Sequence, residues 1–469
     1  MNPTNPAPSA PSKLALWRTE FAASITLAVP IALTQLGQIA MMTTDLALIG
    51  RLGDIAVGAA ALGHAVLYSA FMLCLGLASA VAPLASQAVG AREPRGVRSA
   101  VHAGLWAITV AGLPLTVLQL QASTFLVALG QTPEVAALTE RYLDGLAWSM
   151  IPACWFIGLR NFMSSVDRPQ PALWITLAAI PANGLLAYAL INGAFGLPRL
   201  DLLGAGLATT IVSILMFVAG GWVALTRLPF RRYHLLNGLW RANWPLLKQL
   251  TILGLPISAT YLLEYSLFGF AAVMMGWIST TALVGHQIAL QVAAIVFMVP
   301  LGISLAATVR VGHAAGRRDL VGARRAGLAA IFLGVAFMAA MALLTAIFRR
   351  EIPLLFLGSG AEERTVALTA SLLVLGATFF IADGVQTIAI GALRGINDTR
   401  IPLLFSVISF WAIGFTAAYV LAFNLGMGAQ GVWVALSLSV IVYGALLISR
   451  LLILLHRPDL PIFAAPQPT

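Results

Sequence analysis

The sequence predicts an all-α integral membrane protein: twelve transmembrane helices in two six-helix lobes, related by a pseudo-twofold axis along the membrane normal. Long apolar runs, a one-sided distribution of Lys and Arg, and an internal repeat carry that prediction. Of the 469 residues, 60% are hydrophobic and only 9% are charged. A soluble domain carries about 25% charged residues, because its surface must face water. The runs at 22–50, 173–194, 327–348 and 401–423 hold few charges, and a helix needs about 20 apolar residues to cross hydrocarbon. A membrane barrel would alternate over segments of about ten residues, and the sequence shows no such alternation.

The first element is a tail, residues 1–19. Pro3, Pro6, Pro8 and Pro11 read as a disordered, solvated cytoplasmic segment. No basic stretch feeds a short apolar run there, so no signal peptide is expected. Spans are expected at 21–49, 55–83, 97–120, 135–159, 170–195 and 203–226, which form an N-lobe over 20–226. A basic linker at 227–246, with Pro229 and Pro245, leads to the C-lobe at 247–456. Its spans are 247–278, 282–309, 323–347, 365–393, 401–423 and 429–455, and 457–469 is a second cytoplasmic tail. With the N-terminus placed inside, 21 of the 27 Lys and Arg residues fall in cytoplasmic segments. That bias sets both termini in the cytoplasm and supports an even span count. It also accounts for the net charge of +10, which is spread over short loops and forms no nucleic-acid-binding domain.

The two halves repeat at a shift of 226 residues. Pro30-Ile31 falls on Pro256-Ile257, and Gly76, Gly90, Arg92, Gly96 and Arg98 fall on Gly302, Gly316, Arg318, Gly322 and Arg324. Chance likeness among apolar helices explains single glycines, but not a glycine-and-charge loop kept in order and spacing. Six spans per half give both halves one orientation, so the axis lies along the membrane normal and a site is expected between the lobes.

Three carboxylates, Asp45, Glu264 and Asp383, lie inside apolar spans. Each costs about 2.5–3.5 kcal/mol at a helix centre on insertion scales, so each must face protein or water. At helical spacing, Gln35, Gln38 and Met42 share a face with Asp45; Tyr261, Tyr265 and Phe268 share one with Glu264; Phe379 and Gln386 share one with Asp383. Acids beside aromatic and apolar side chains suit a large hydrophobic cation. A carboxyl removed from water also holds a proton more readily, which suits proton exchange. No Lys or Arg falls inside the expected spans, so salt-bridge glue does not explain the acids; hydrogen bonding between helices is the structural alternative. His64 and His286 occupy equivalent places in the repeat and read as packing or loop residues. Cys74 and Cys154 read as packing residues. Trp174, Trp222, Trp240 and Trp244 read as interfacial anchors. Pro30, Pro83, Pro181, Pro256 and Pro300 are expected to bend helices.

Over residues 15–455 the chain resembles the multidrug and toxic compound extrusion (MATE) family, and within it the NorM-type branch. The likeness rests on 30–53, with Gln35, Gln38 and Asp45; on 254–276, with Leu255-Pro256 and Glu264; on 285–316, GHQIALQVAAIVFMVPLGISLAATVRVGHAAG; and on 383–402, DGVQTIAIGALRGINDTRIP. It implies antiport of drugs and cations against H+ or Na+ through two lobes around a central cavity. It also implies that Asp45, Asn183 and Thr209 form an ion site in the N-lobe, and that Glu264 and Asp383 are the C-lobe acids. Gln35, Gln38, Met42, Tyr261, Tyr265, Phe268, Gln287, Phe379 and Gln386 are the expected substrate-cavity residues. Two positions depart from the family pattern: Ala179 stands where a second Asn is frequent, and Phe379 where Tyr occurs. Each removes an oxygen ligand, which disfavours Na+ and leaves H+.

The expected partners are small cationic or amphipathic substrates and the lipid bilayer, with no nucleic acid, no cofactor beyond the coupling ion, and a monomeric chain in the bacterial inner membrane. A major-facilitator transporter would carry Asp-Arg-x-Gly-Arg-Arg where this chain has Gly90-Ala91-Arg92-Glu93. A lipid-linked oligosaccharide flippase would need a more cationic cavity. No HExxH, Gly-x-Ser-x-Gly or phosphate-binding loop supports an enzyme or ATP drive.

Overall fold

The computed structural model describes residues 12–240, 243–358, 360, 362–457 and 463, and every regular element among them is helical. In chain order the α-helices are α1 (Lys13–Ile49), α2 (Asp54–Ser79), α3 (Val81–Gly90), α4 (Pro94–Gln119), α5 (Ala122–Ala128), α6 (Pro133–Leu146), α7 (Met150–Ser165), α8 (Gln170–Asn192) and α9 (Asp201–Thr226). The second half has α10 (Trp244–Ile278), α11 (Thr280–Gly316), α12 (Leu320–Ile347), α13 (Glu351–Leu357), α14 (Glu363–Gly395), α15 (Arg400–Ser406), α16 (Thr416–Tyr419) and α17 (Gly428–Leu454). Among the described residues, eleven helical stretches are long and apolar enough to cross a membrane. The expected span at 135–159 is absent from that set because the 3-10 turn Ala147–Ser149 splits it into α6 and α7.

Local chemistry sets the element ends. Ser12 caps α1, its Oγ accepting from Ala15 N at 3.2 Å, so residues 13–19 are helical and only 1–11 of the expected tail lie outside the described residues. Pro83 lacks the N–H that would bond the Ser79 carbonyl, and α2 breaks from α3 at Ala80. In the 227–246 linker a short turn, Phe230–Tyr233, buries Phe230. His102 and Trp106 of α4 then donate to the Leu235 and Leu239 carbonyls at 2.6 and 2.9 Å. Asn243 caps α10 by accepting from Leu246 N. The span expected at 401–423 is continuous but π-helical over Val407–Phe415 and Val420–Asn424. Of the tail at 457–469, Arg457 and Phe463 are described, and Phe463 packs into the second core.

One apolar core draws on residues 49–257 and another on 267–463. A third, smaller one joins Leu27, Ala28 and Ile31 of α1 to Ile303, Ala306 and Ala307 of α11. The first helix of each half thus packs on the other half: α1 on α11, and α10 on α2. Glycines let the backbones meet, as is usual where lipid-embedded helices associate by close contact. A Cβ on Gly302 would stand 2.7 Å from the Ala32 nitrogen, and one on Gly76 would collide with the Ser258 backbone. One on Gly90 would strike the His313 carbonyl, and one on Gly316 the Gln87 carbonyl. Each pair of contacts is the other shifted by 226 residues, so the sequence repeat reappears as a twofold arrangement of contacts.

Polar side chains reinforce that junction. Gln87 Nε2 donates to the Gly395 carbonyl at 2.8 Å and Asn397 Nδ2 donates to Gln87 Oε1 at 2.9 Å. His313 Nε2 donates to the Ser165 carbonyl at 2.7 Å. Glu20 of α1 accepts from Arg310 of α11 at 2.9 and 3.0 Å and lies 3.9 Å from Arg325 of α12.

Candidate functional site

In the first half, α1, α8 and α9 bring Asp45, Asn183 and Thr209 together. Asn183 Nδ2 donates to Asp45 Oδ1, and Thr209 Oγ1 donates to Asp45 Oδ2 at 3.2 Å. Asp45 and Asn183 are buried. Asn183 Oδ1 is buried too and has no hydrogen-bond partner among the described residues. An acid, an amide oxygen and a hydroxyl therefore converge at one point inside apolar helices.

The second half holds a different cluster. Gln386 of α14 donates through Nε2 to Glu264 Oε1 of α10 at 3.0 Å and to Asp383 Oδ1 at 2.8 Å. One amide thus bridges two carboxyls, three residues apart on its own helix and across to the neighbour. Glu264, Gln386, Thr387, Tyr261, Tyr443 and Arg394 line one cleft. Arg394 Nη1 donates to the Tyr261 hydroxyl at 2.8 Å, and its guanidinium lies 4.9 Å over the Tyr261 ring.

Two arginines correct the expectation that no cation lies within the helical body. Arg160 and Arg394 were placed in cytoplasmic loops, but they are only 4% and 5% exposed, inside α7 and α14. These helices run past the apolar runs that marked their spans. Arg160 Nη1 donates to Gln35 Oε1 at 2.5 Å, so Gln35 serves an arginine rather than standing free on a cavity wall. The two arginines close the matched pairs Leu159-Arg160 and Leu393-Arg394, so each half carries one.

The remaining expected cavity residues divide. Met42 and Tyr265 come together through Tyr68 of α2, whose hydroxyl lies 3.6 Å from Met42 Sδ and whose ring stacks 6.4 Å from that of Tyr265. Tyr68 escaped the sequence reading because a tyrosine in an apolar run carries no charge to betray it. Phe379 is only 2% exposed and packs edge-on against Phe268 and Trp433, so its ring belongs to the core. Gln38 is half-buried and Gln287 exposed, and neither side chain hydrogen-bonds to the clusters above. Of the two histidines, His64 meets the Tyr142 hydroxyl at 3.0 Å, while His286 stacks edge-on with Trp433. Cys74 and Cys154 are free and buried.

The MatE family model matches residues 30–189 and again 256–420, with starts 226 residues apart. The chain belongs to the MATE family. It is 60% identical, over 94% of its length and 93% of the relative's, to a probable multidrug resistance protein NorM of Rhodopseudomonas palustris. It is 56% identical, over 93% of its length and 94% of the relative's, to one from Bradyrhizobium diazoefficiens. These relatives place it on the NorM-type branch. Its fold matches the crystal structure of the eukaryotic MATE transporter AtDTX14 with a TM-score of 0.83, at 19% identity over 93% of this chain and 96% of that one. It matches an outward-facing MATE family transporter of the MOP superfamily equally well, TM-score 0.83, at 17% identity over 96% and 99%. MATE membership and the long apolar helices make the chain a multi-pass membrane protein. The residues that the MATE resemblance singled out, Asp45 with Asn183 and Thr209, and Glu264 with Asp383, form the two polar clusters described above.

Proposed function

We propose that this MATE protein is a secondary active antiporter of the bacterial inner membrane. It would export hydrophobic and cationic toxic compounds by alternating access, in exchange for H+ or Na+. The observation that carries the reading is the gathering of all three intramembrane carboxylates into two hydrogen-bonded clusters, one in each half. Single acids used as glue would scatter. Tyr68, Tyr265 and Met42, contributed by both halves, offer apolar and aromatic contact for an organic cation. In this reading, α6 with α7 forms the twelfth span, and 20–226 and 247–456 are the lobes of a monomer that needs no cofactor. Both termini are cytoplasmic. The junction at Gly90 and Gly316 lies on the basic, cytoplasmic side and is closed, so the cavity opens outward.

A proton is the coupling ion favoured by Ala179, which removes one ligand from the first cluster, and by Phe379, which is core. Protonation needs one carboxyl, whereas Na+ needs a filled shell of oxygens. One observation favours Na+ as a second reading: the buried Asn183 Oδ1 without a partner stands beside Asp45 and Thr209, an oxygen set that a cation completes. A cleft with both Glu264 and Arg394 in its wall fits a flippase poorly, since a pyrophosphate headgroup would be repelled by the acid.

Overexpression should lower cellular accumulation of ethidium and of fluoroquinolones. Unchanged accumulation of every such compound, with the protein verified in the membrane, would refute the efflux reading.

A further inference from the structure

Away from both polar clusters, the start of α8 and the end of α9 enclose a cleft of about 870 Å3. These antiparallel neighbours pack side by side, so the same end of each helix faces one membrane surface. Three arginines reach the cleft from three elements: Arg168 from the turn before α8, Arg227 from the end of α9, and Arg232 from the turn at Phe230–Tyr233. All three are exposed, and none lies in a salt bridge among the described residues. The neighbouring carboxylate, Asp167, lies 3.8 Å from His313 Nδ1 instead. The first turn of α8 has no side-chain cap, so its free N–H groups add partial positive charge at the same place.

The rest of the cleft is apolar and uncovered. Trp174 is 68% exposed and Leu228 67%, and Trp222 stands outward one turn earlier on α9. A free phosphate would use the guanidinium forks but not this wall. An acyl chain running down α8 and α9 would use it.

We propose that this cleft binds the phosphate headgroup of an anionic phospholipid from the cytoplasmic leaflet, with Arg168, Arg227 and Arg232 on the phosphate and Trp174 and Leu228 along the chain. The leaflet assignment rests on the topology proposed above; the binding chemistry does not. Basic pockets between helix ends at this surface recognise such headgroups, at about 1 kcal/mol for each Lys or Arg.

The test uses the full chain in neutral detergent with phosphatidylglycerol bearing brominated acyl chains, which quench tryptophan on contact. Quenching should saturate, be competed by short-chain phosphatidylglycerol, and shrink in Trp174→Phe. Each of Arg168→Gln, Arg227→Gln and Arg232→Gln should weaken binding about fivefold, and the triple variant on the order of a hundredfold. A control triple, Arg349→Gln, Arg350→Gln and Arg364→Gln, removes equal charge elsewhere and should bind as wild type. Should the cleft triple elute aggregated, the three single variants decide. Equal quenching by brominated phosphatidylcholine, or unaltered binding in the single variants, overturns the proposal. Displacement by inorganic phosphate as effectively as by the lipid would make this a free-anion site and overturn the lipid assignment. Micelles have no sides, so failure here leaves the topology standing, and a wrong topology leaves the binding result standing.

Discussion

The Arg394 guanidinium lies 4.9 Å above the Tyr261 ring and donates to its hydroxyl at 2.8 Å. The pair ties α14 to α10 at the cleft that Glu264 also lines, so a fixed positive charge stands in the wall with the acid. A stacked guanidinium that also donates has a geometry an ammonium does not reproduce.

Arg394→Gln should therefore cut dye efflux at least tenfold, and Arg394→Lys should fail to restore it. Tyr261→Phe keeps the ring and loses one hydrogen bond to a charged group, about 1.5–3 kcal/mol, so its efflux should fall between wild type and Arg394→Gln. Efflux rates in cells, normalised to protein in the membrane, measure this. Wild-type efflux in Arg394→Lys would show that only the charge matters.

Glu264→Gln and Asp383→Asn should each abolish efflux with expression near normal. The amides keep shape and hydrogen bonding to Gln386 while removing the exchangeable proton. If both variants pump at the wild-type rate, the acids are structural.

Asp45→Asn should impair transport whichever ion drives it, because its carboxyl is the centre of the first cluster under both readings. Purified protein in liposomes, given a pH gradient or a Na+ gradient separately, provides the measurement. Wild type should respond to the pH gradient. A response to Na+ alone would transfer the coupling role to the oxygen set of Asp45, Asn183 and Thr209. An indifferent Asp45→Asn would leave Glu264 and Asp383 as the coupling acids.

A reporter active only in the periplasm, fused after Thr469, should be silent. Its activity would invert the 21-to-6 distribution on which the topology rests, and with it the leaflet facing Arg168, Arg227 and Arg232.

The two clusters were legible in sequence for one reason: an acid in an apolar run is expensive enough to need a partner. That logic finds Asp45, Glu264 and Asp383, and the spacing along each helix finds Gln386. It failed for Arg160 and Arg394 because hydropathy marks where lipid begins, whereas these helices continue past that level inside protein. It failed for Tyr68, whose position depends on α2 crossing toward α10, a contact that no local signal encodes. The break between α6 and α7 was equally silent. Nearby, Gly145 and Gly206 bring α6 against α9 so closely that a Cβ on Gly145 would stand 2.7 Å from the Leu203 carbonyl, but a glycine in an apolar run reads the same whether it marks a crossing or nothing.

The exchange of first helices between halves bears on how the molecule is made. The helix α1 is synthesised first, yet the surface it packs on belongs to α11. At about 5–20 residues per second, the roughly 230 residues between them take on the order of 10–50 s to emerge. During that interval Glu20 waits without Arg310 and Arg325, and the Ala32 backbone waits without Gly302. The ribosome must therefore release most of the chain before its earliest helix can settle, and a product truncated before α11 would strand that helix in the bilayer as a substrate for quality control.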